Sequence, residues 1–187
     1  MPVGPTSPPP DIAAACPAHF IVTVLDCPED TAARDLLVGT LASAVVDVVP
    51  CVGVMLGHGV VFHKAAAYGE LARLGAEHGR LPVEIAVDLT AARESEDRMS
   101  FLTHGLARYG REDLYVTCPI RGKGALDFVY AIARWQLTDP TKQFPTGDTI
   151  GRTVDERILV QRQPNPTGDG STVIRLDLPA VEPGLPA

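Results

Sequence analysis

Hydrophobic and polar positions change their period several times along the chain, and each change indicates a new element. The apolar, β-branched run "HFIVTVLD" at residues 19–26 predicts a buried strand. Residues 27–49 place apolar side chains at helical spacing and predict a helix capped by Asp30 or Thr31. Residues 51–65, "CVGVMLGHGVVFHKA", predict two short strands, or one bent strand, interrupted by a glycine-rich turn.

The pattern continues to alternate through the rest of the chain. Residues 65–79 predict a helix that ends at Gly79, residues 81–94 a strand, and residues 96–110 a helix that ends at Gly110. Further elements are predicted as a strand at 112–119, a helix at 124–139, a turn and strand at 147–163 and a strand at 172–178. The order β-α-β-β-α-β-α-β-α-β-β is too irregular for a doubly wound parallel sheet.

The fold class that follows is α/β (α+β). We expect a mixed β-sheet with about four helices packed on it, in two roughly similar halves. Five prolines precede Asp11, so residues 1–17 predict a flexible tail, and residues 179–187 predict another. A single domain is expected to occupy residues 18–178.

Composition and charge restrict the class of partner. The 187 residues include 16 Lys and Arg against 23 Asp and Glu, a formal net charge of −7. An acidic chain without a basic stripe is poorly suited to nucleic acid. Residues 1–20 lack the pattern of a signal peptide and no run is long enough to span a membrane, so we expect a cytoplasmic protein that binds neither nucleic acid nor membrane.

Metal and cofactor chemistry is not indicated by the cysteines and histidines. His58 and His63 are five positions apart on a strand-like stretch, which points their side chains to opposite faces. The cysteines are far apart and form no CxxC pair; they are Cys16, Cys27, Cys51 and Cys118. We therefore expect no metal, no cofactor and buried free thiols.

A phosphate loop is the first candidate site, because "TCPIRGKG" at residues 117–124 joins a predicted strand to a predicted helix. A Walker A loop requires a glycine where this chain has Thr117, and a Ser or Thr where it has Gly124. The stretch is therefore not a P-loop. Arg121 and Lys123 beside a helix N-terminus could still hold a single anion, and the alternative is a solvated turn.

The C-terminal half resembles a known family on a specific set of positions. The stretches "FLTHGLARYGREDLYVTCP" and "GDTIGRTVDERILV" carry them, as Thr103, Gly105, Leu106, Tyr109, Gly110, Glu112, Gly147, Asp148, Thr149, Ile150, Gly151, Glu156 and Ile158. Over residues 83–177 the chain is similar to the bacterial DUF4261 family, a domain of unknown function. The resemblance implies a compact α/β domain with no established activity, and a ligand site built on Thr103, Asp148 and Thr149 is one interpretation of it.

Three hypotheses for function remain open. The first is a non-catalytic cytoplasmic module that binds a protein partner, which would be basic, in a regulatory, accessory or toxin-neutralising capacity. The second is a domain or enzyme for an anionic small molecule, such as a phosphate, held by Arg121 and Lys123 with Asp148 and Thr149 as polar contacts. The third is an oligomerisation scaffold.

Overall fold

Four helices and three β-sheets, the largest a mixed sheet of five strands, give the described residues an α+β architecture. This confirms the predicted fold class. The computed structural model describes residues 16, 18–25, 30–56, 61–120, 124–139 and 141–180. Most of both predicted tails therefore lies outside the described residues. The chain divides into two compact units, Met1–Asp88 (unit 1) and Leu89–Ala187 (unit 2).

Two long helices dominate unit 1. Helix α1 spans Thr31–Val48 and helix α2 spans Ala65–His78. The carboxylate of Asp30 accepts hydrogen bonds from the amides of Ala32 at 2.8 Å and Ala33 at 3.1 Å, which confirms the predicted N-cap. Helix α2 ends at Gly79, whose φ of 62° is the left-handed conformation that glycine adopts most easily.

A hairpin and a short helix complete unit 1. Strands β1 (Gly53–Leu56) and β2 (Val61–Lys64) pair antiparallel, which confirms the prediction of two short strands. The turn between them lies outside the described residues. Helix α3 (Val83–Ala86) occupies the start of the strand predicted at residues 81–94, so that prediction holds only from Asp88 onward.

The buried strand predicted at residues 19–26 is wrong. Residues 18–25 belong to no helix or strand, and Phe20, Ile21 and Leu25 are 65%, 88% and 83% exposed. A β-branched run favours a strand only where a neighbouring strand offers backbone partners. The local pattern indicated the propensity but carried no information about a partner.

The five-stranded sheet lies in unit 2 apart from Asp88, the first residue of β3, and has the order β3-β4-β5-β9-β8. Its strands are β3 (Asp88–Arg93), β4 (Arg98–His104), β5 (Leu114–Pro119), β8 (Gln161–Pro164) and β9 (Thr172–Asp177). Strand β5 is central, antiparallel to β4 and parallel to β9, and β8 pairs antiparallel with β9. The sheet is therefore mixed, as expected for this order of elements.

Strand β4 corrects the helix predicted at residues 96–110. Ser100, Phe101, Leu102 and Thr103 are all buried, so both faces of this strand are covered. A strand buried on both faces shows no alternation, and its apolar run cannot be told from a helix by period. Only a 3₁₀ turn at Leu106–Tyr109 is helical, and it ends at the predicted Gly110.

Helix α4 (Ala125–Thr138) packs against strand β5. Its buried residues recur at helical spacing on one side; they are Ala125, Phe128, Val129, Ile132, Ala133 and Gln136. Two short strands, β6 (Thr149–Ile150) and β7 (Ile158–Leu159), form a third sheet. In the residues that the structure describes, unit 1 has a helix pair with a two-stranded hairpin and unit 2 has a five-stranded sheet with one long helix, so the two predicted similar halves differ in their elements.

Candidate functional site

The basic turn proposed to hold an anion contains Arg121 and Lys123, and both lie outside the residues that the structure describes. Gly124, which follows them, is the N-cap of α4 and has a φ of 75°. As a glycine it has no side chain to accept a hydrogen bond from the first turn of the helix. The anion site at this turn therefore stays a prediction.

Thr103 is a fully buried link between two segments of unit 2. Its hydroxyl donates to Asp113 Oδ1 at 2.9 Å and accepts from the Leu114 amide at 2.7 Å. The same carboxylate oxygen accepts from the Leu106 amide at 3.2 Å. Burial raises the pKa of Asp113, and these hydrogen bonds oppose the shift. The contacts tie the end of β4 to the start of β5 and make Thr103 a structural residue.

Asp148 and Thr149 lie elsewhere in unit 2, on an exposed turn and strand. Thr149 pairs with Leu159 in the β6–β7 sheet. The backbone carbonyl of Asp148 accepts from the Val160 amide at 2.8 Å. The side-chain contacts described for Thr103 include neither residue, so the structure shows no single site built from the three.

A hydrogen-bonded network covers one face of the five-stranded sheet. Tyr115 donates its hydroxyl to Glu94 Oε1 at 2.5 Å, and Ser100 donates to the same oxygen at 2.8 Å. These two hydrogen bonds lower the pKa of Glu94 and keep it ionised. Burial, and then the bond to Glu94, raises the pKa of Tyr115.

The network continues on the neighbouring strands. Arg98 donates to Thr117 at 2.5 Å, and Thr117 donates to Asp177 at 2.7 Å. Arg175 donates to Asp177 at 3.0 Å and to Gln163 at 3.0 Å. These side chains form hydrogen bonds with one another, most of them between neighbouring strands. The network therefore stabilises the pairing of strands in the sheet.

An exposed apolar stripe on α1 was not anticipated from the sequence. It consists of Leu37, Leu41, Ala44 and Val48, all exposed. Spacings of 4, 3 and 4 residues place these side chains on one side of a helix with 3.6 residues per turn. The spacing is also that of the contact seam in a coiled coil.

The opposite side of α1 is buried and carries small or polar residues. They are Asp35, Gly39, Ala42 and Ser43. A surface helix ordinarily buries its large apolar side chains and exposes its polar ones. Helix α1 has this arrangement inverted, because small residues allow a close approach to α2 while the leucines face outward.

The two units differ in formal charge. Residues 1–88 hold ten Asp and Glu and four Lys and Arg, a formal charge of −6, whereas residues 89–187 hold thirteen and twelve, a formal charge of −1. Nearly all of the negative net charge therefore lies in unit 1, the unit that contains the apolar stripe of α1 and the exposed segment 18–25.

The interior of unit 1 contains polar atoms without partners. The His63 ring nitrogens and the Tyr68 hydroxyl are buried and accept or donate no hydrogen bond within the described part of the chain. The two rings lie 5.9 Å apart. Burial lowers the pKa of His63, opposed by the Ile85 backbone and the Asp88 carboxylate. Burial, and then Asp35, raises the pKa of Tyr68 to about 12.

Metal and membrane features are not found in the described residues. No group of three or more His, Cys, Asp or Glu side chains is arranged to hold a metal ion among them. None of the helices at 31–48, 65–78, 83–86 and 125–138 is long and apolar enough to cross a membrane. Of the described cysteines, Cys118 is buried and Cys16 and Cys51 are half-buried, and none of the three is in a disulfide.

One sequence signal could have located the apolar stripe. Residues 31–48 are apolar on both sides at helical spacing, and a helix that is apolar all round requires burial all round. No family model, no curated protein and no solved structure matches this chain. The similarity to the DUF4261 family accordingly stays a prediction.

Proposed function

We propose that this protein is a non-catalytic module that binds a basic protein partner through the apolar stripe of α1. The observation that supports the proposal is the exposure of Leu37, Leu41 and Val48, at 42%, 43% and 80%, on the side of α1 opposite its buried face. Large apolar side chains grouped on one surface are typical of protein-binding sites. Their helical spacing suits a partner that presents an amphipathic helix.

The acidity of unit 1 supports the choice of a basic partner. With a formal charge of −6 on residues 1–88, a cationic partner approaches faster and an acidic one is repelled. The stripe runs from Leu37 to Val48 on α1, so it is about 17 Å long at ~1.5 Å per residue. That length accommodates a partner helix of similar size.

Capture followed by titration tests the proposal. The chain is immobilised and incubated with total protein from cells that produce it, and each retained protein is purified and titrated against three forms by calorimetry. The first form is wild type, and the second is Leu37→Gln/Leu41→Gln/Val48→Gln. The third is the control Leu74→Gln/Leu126→Gln/Val154→Gln, whose residues are likewise two leucines and a valine, exposed by 50%, 40% and 84%.

We expect a basic protein whose dissociation constant rises about tenfold or more in the stripe variant, because central apolar contacts carry most of the binding energy of an interface. The control variant should bind as wild type does. Equal binding by all three forms, or a partner that is acidic, contradicts the proposal. A stripe-dependent dimer of this chain in solution would also contradict it, in favour of an oligomerisation scaffold.

A further inference from the structure

We propose that unit 2 has a binding site for a small anion in a cavity of about 280 Å³. Of the described residues, three cations from three separate segments line it, namely Arg111 after the 3₁₀ turn, Lys142 after α4 and Arg162 in β8. The carboxylate of Glu112 is in the described lining with them. This site is independent of the proposed function, which concerns unit 1.

Glu112, the carboxylate of the described lining, is paired with one of the cations. Arg162 donates Nε to Glu112 Oε1 at 2.9 Å and Nη2 to Oε2 at 2.6 Å, which is a two-point ion pair. Its Nη1 donates to Thr146 Oγ1 at 2.8 Å. The hydrogen bonds from Arg162 to Glu112 raise the pKa of Arg162 above its ordinary value. The charge of Glu112 is therefore balanced before the other two cations are considered.

Arg111 and Lys142, the other two cations of the described lining, form no ion pair with a described carboxylate. Arg111 Nη2 donates to the backbone carbonyl of Asp139 at 3.3 Å, and no ion pair is described for its guanidinium. A guanidinium has five N–H donors, so most of them remain available to a ligand. The ammonium of Lys142 lies 3.9 Å above the ring centroid of Trp135, an arrangement that fixes the charge without neutralising it.

The nearest carboxylate to Lys142 in sequence is engaged elsewhere. Asp139 Oδ1 accepts from the Thr141 amide at 3.0 Å and from its hydroxyl at 2.6 Å. These bonds, with a smaller contribution from Lys142, lower the pKa of Asp139. Asp139 thus attracts Lys142 at a distance and forms no direct ion pair with it.

The cavity wall favours a compact ligand. Gln136 and Phe144, both almost fully buried, form part of the lining. Gln136 Nε2 is 3.4 Å from the Glu112 carbonyl, a long hydrogen bond. A volume of about 280 Å³ is at the lower limit of small-molecule sites. The ligand class that fits is a small organic anion whose phosphate or carboxylate takes the planar fork of Arg111 and the point charge of Lys142.

Calorimetric titration of the full chain tests this site. The probes are inorganic phosphate, glycerol 3-phosphate and malate, each against wild type, Arg111→Gln and Lys142→Gln. Arg157→Gln is the control for arginine, because Arg157 also donates to backbone carbonyls, those of Val154 and Glu156. Lys64→Gln, on an exposed lysine of unit 1, is the control for lysine.

We expect at least one probe to bind wild type, and each cavity variant to weaken it about tenfold, as expected for loss of one charged hydrogen bond. Both controls should bind as wild type does. Preference for glycerol 3-phosphate over malate would assign the phosphate class, and the reverse preference the carboxylate class. No binding by wild type, or equal weakening by Arg157→Gln, overturns the proposal. Because Arg111 contacts the end of α4, Lys142→Gln provides the result if Arg111→Gln unfolds.

Discussion

Units 1 and 2 differ in whether their buried polar side chains are hydrogen-bonded. In unit 2, Thr103, Ser100 and Thr117 are buried, and each hydroxyl is hydrogen-bonded. The buried side-chain atoms that lack a partner among the described residues all belong to unit 1, on His63 and Tyr68. An unpaired buried polar atom destabilises a fold, whereas a paired one is close to neutral. Within the described part of unit 2 the buried side-chain polar atoms are therefore paired, whereas those of His63 and Tyr68 in unit 1 are not.

The surfaces of the two units differ in a corresponding way. Unit 1 buries glycines and alanines between α1 and α2 and exposes the leucines of α1. Unit 2 buries one apolar face of α4, in the usual arrangement for a helix beside a sheet. Unit 1 also buries large apolar residues, among them Val83 and Ile85, so the inverted arrangement is confined to α1, where the exposed leucines form an apolar surface of the kind found at protein-binding sites.

Two glycines in α2 test how closely unit 1 is packed, and we expect the largest effect here. A Cβ on Gly75 would lie 2.6 Å from Pro82 Cδ and 2.9 Å from the Arg80 carbonyl oxygen. Gly75→Ala should lower the free energy of unfolding by about 3 kcal/mol, because both obstacles are rigid. A Cβ on Gly69 meets its nearest neighbours at 3.8 Å, so Gly69→Ala should raise it by about 0.5–1 kcal/mol.

Urea unfolding measures both changes, and hydrogen exchange of α2 peptides confirms that they originate in unit 1. An increase in the free energy of unfolding for both variants would show that the packing around Gly75 adjusts freely. The tight interior attributed to unit 1 would then be wrong.

Removing the Thr103 hydroxyl tests the complete polar pairing of unit 2. Thr103→Val removes the hydroxyl bond to Asp113, which keeps its bond from the Leu106 amide, and removes the acceptor of the Leu114 amide. The free energy of unfolding should fall by about 2 kcal/mol. Thr149→Val, at an exposed residue, is the control and should change it by less than about 0.5 kcal/mol. Thermal unfolding measures both, and equal changes would contradict the structural role of Thr103.

A matched pair of tyrosine substitutions compares the units directly. Tyr68→Phe in unit 1 removes a buried hydroxyl that has no described partner, and should raise the free energy of unfolding by about 1 kcal/mol. Tyr115→Phe in unit 2 removes the 2.5 Å bond to Glu94, and should lower it by about 1 kcal/mol. Ultraviolet titration provides a second measurement, since Tyr68 should ionise with a pKa of about 12. The same sign for both substitutions would remove the contrast between the units.

The smallest effect that we expect at neutral pH is the change in the stability of unit 1 with pH that His63 causes. Burial lowers the pKa of His63 from its ordinary 6.5, so the unfolded chain takes up the proton before the folded chain does. The stabilisation is complete above pH 6.5 and is lost as the pH falls below it. His63→Leu should flatten this dependence above the range in which carboxylates titrate. His78→Leu, at an exposed histidine, should leave it unchanged, and hydrogen exchange of β2 peptides measures both.

Elements whose signals are local were predicted well. The N-cap at Asp30, the helix end at Gly79 and the helix at Ala125–Thr138 depend on residues within a turn or two of each other. Strand β4 and the segment 18–25 were predicted wrongly, since their state depends on neighbours distant in sequence. Phe101 is buried and Ile21 is exposed, although both belong to equally apolar runs.

For the candidate sites, too, residue types could be read from the sequence, whereas contacts between distant residues could not. The sequence indicated Thr103 as a ligand contact, yet its neighbours Asp113 and Leu114 make it a structural link. The cavity beside Arg111, Lys142 and Arg162 brings together residues up to 51 positions apart, which no local motif could indicate. Their basic character was visible in the sequence, but their convergence was not.

By itself, the sequence determined the α+β class, the acidity, the ends of α1, α2 and α4 and the two short strands of the hairpin, because caps, glycines and periodicity act over a few residues. Only the tertiary structure decided which side of α1 is buried, which strands pair and where cations meet. Those outcomes depend on packing and on contacts between distant segments, and a helix that is apolar on both sides permits either orientation. In this protein the side that faces outward carries the leucines, and that choice is the basis of the proposed protein-binding function.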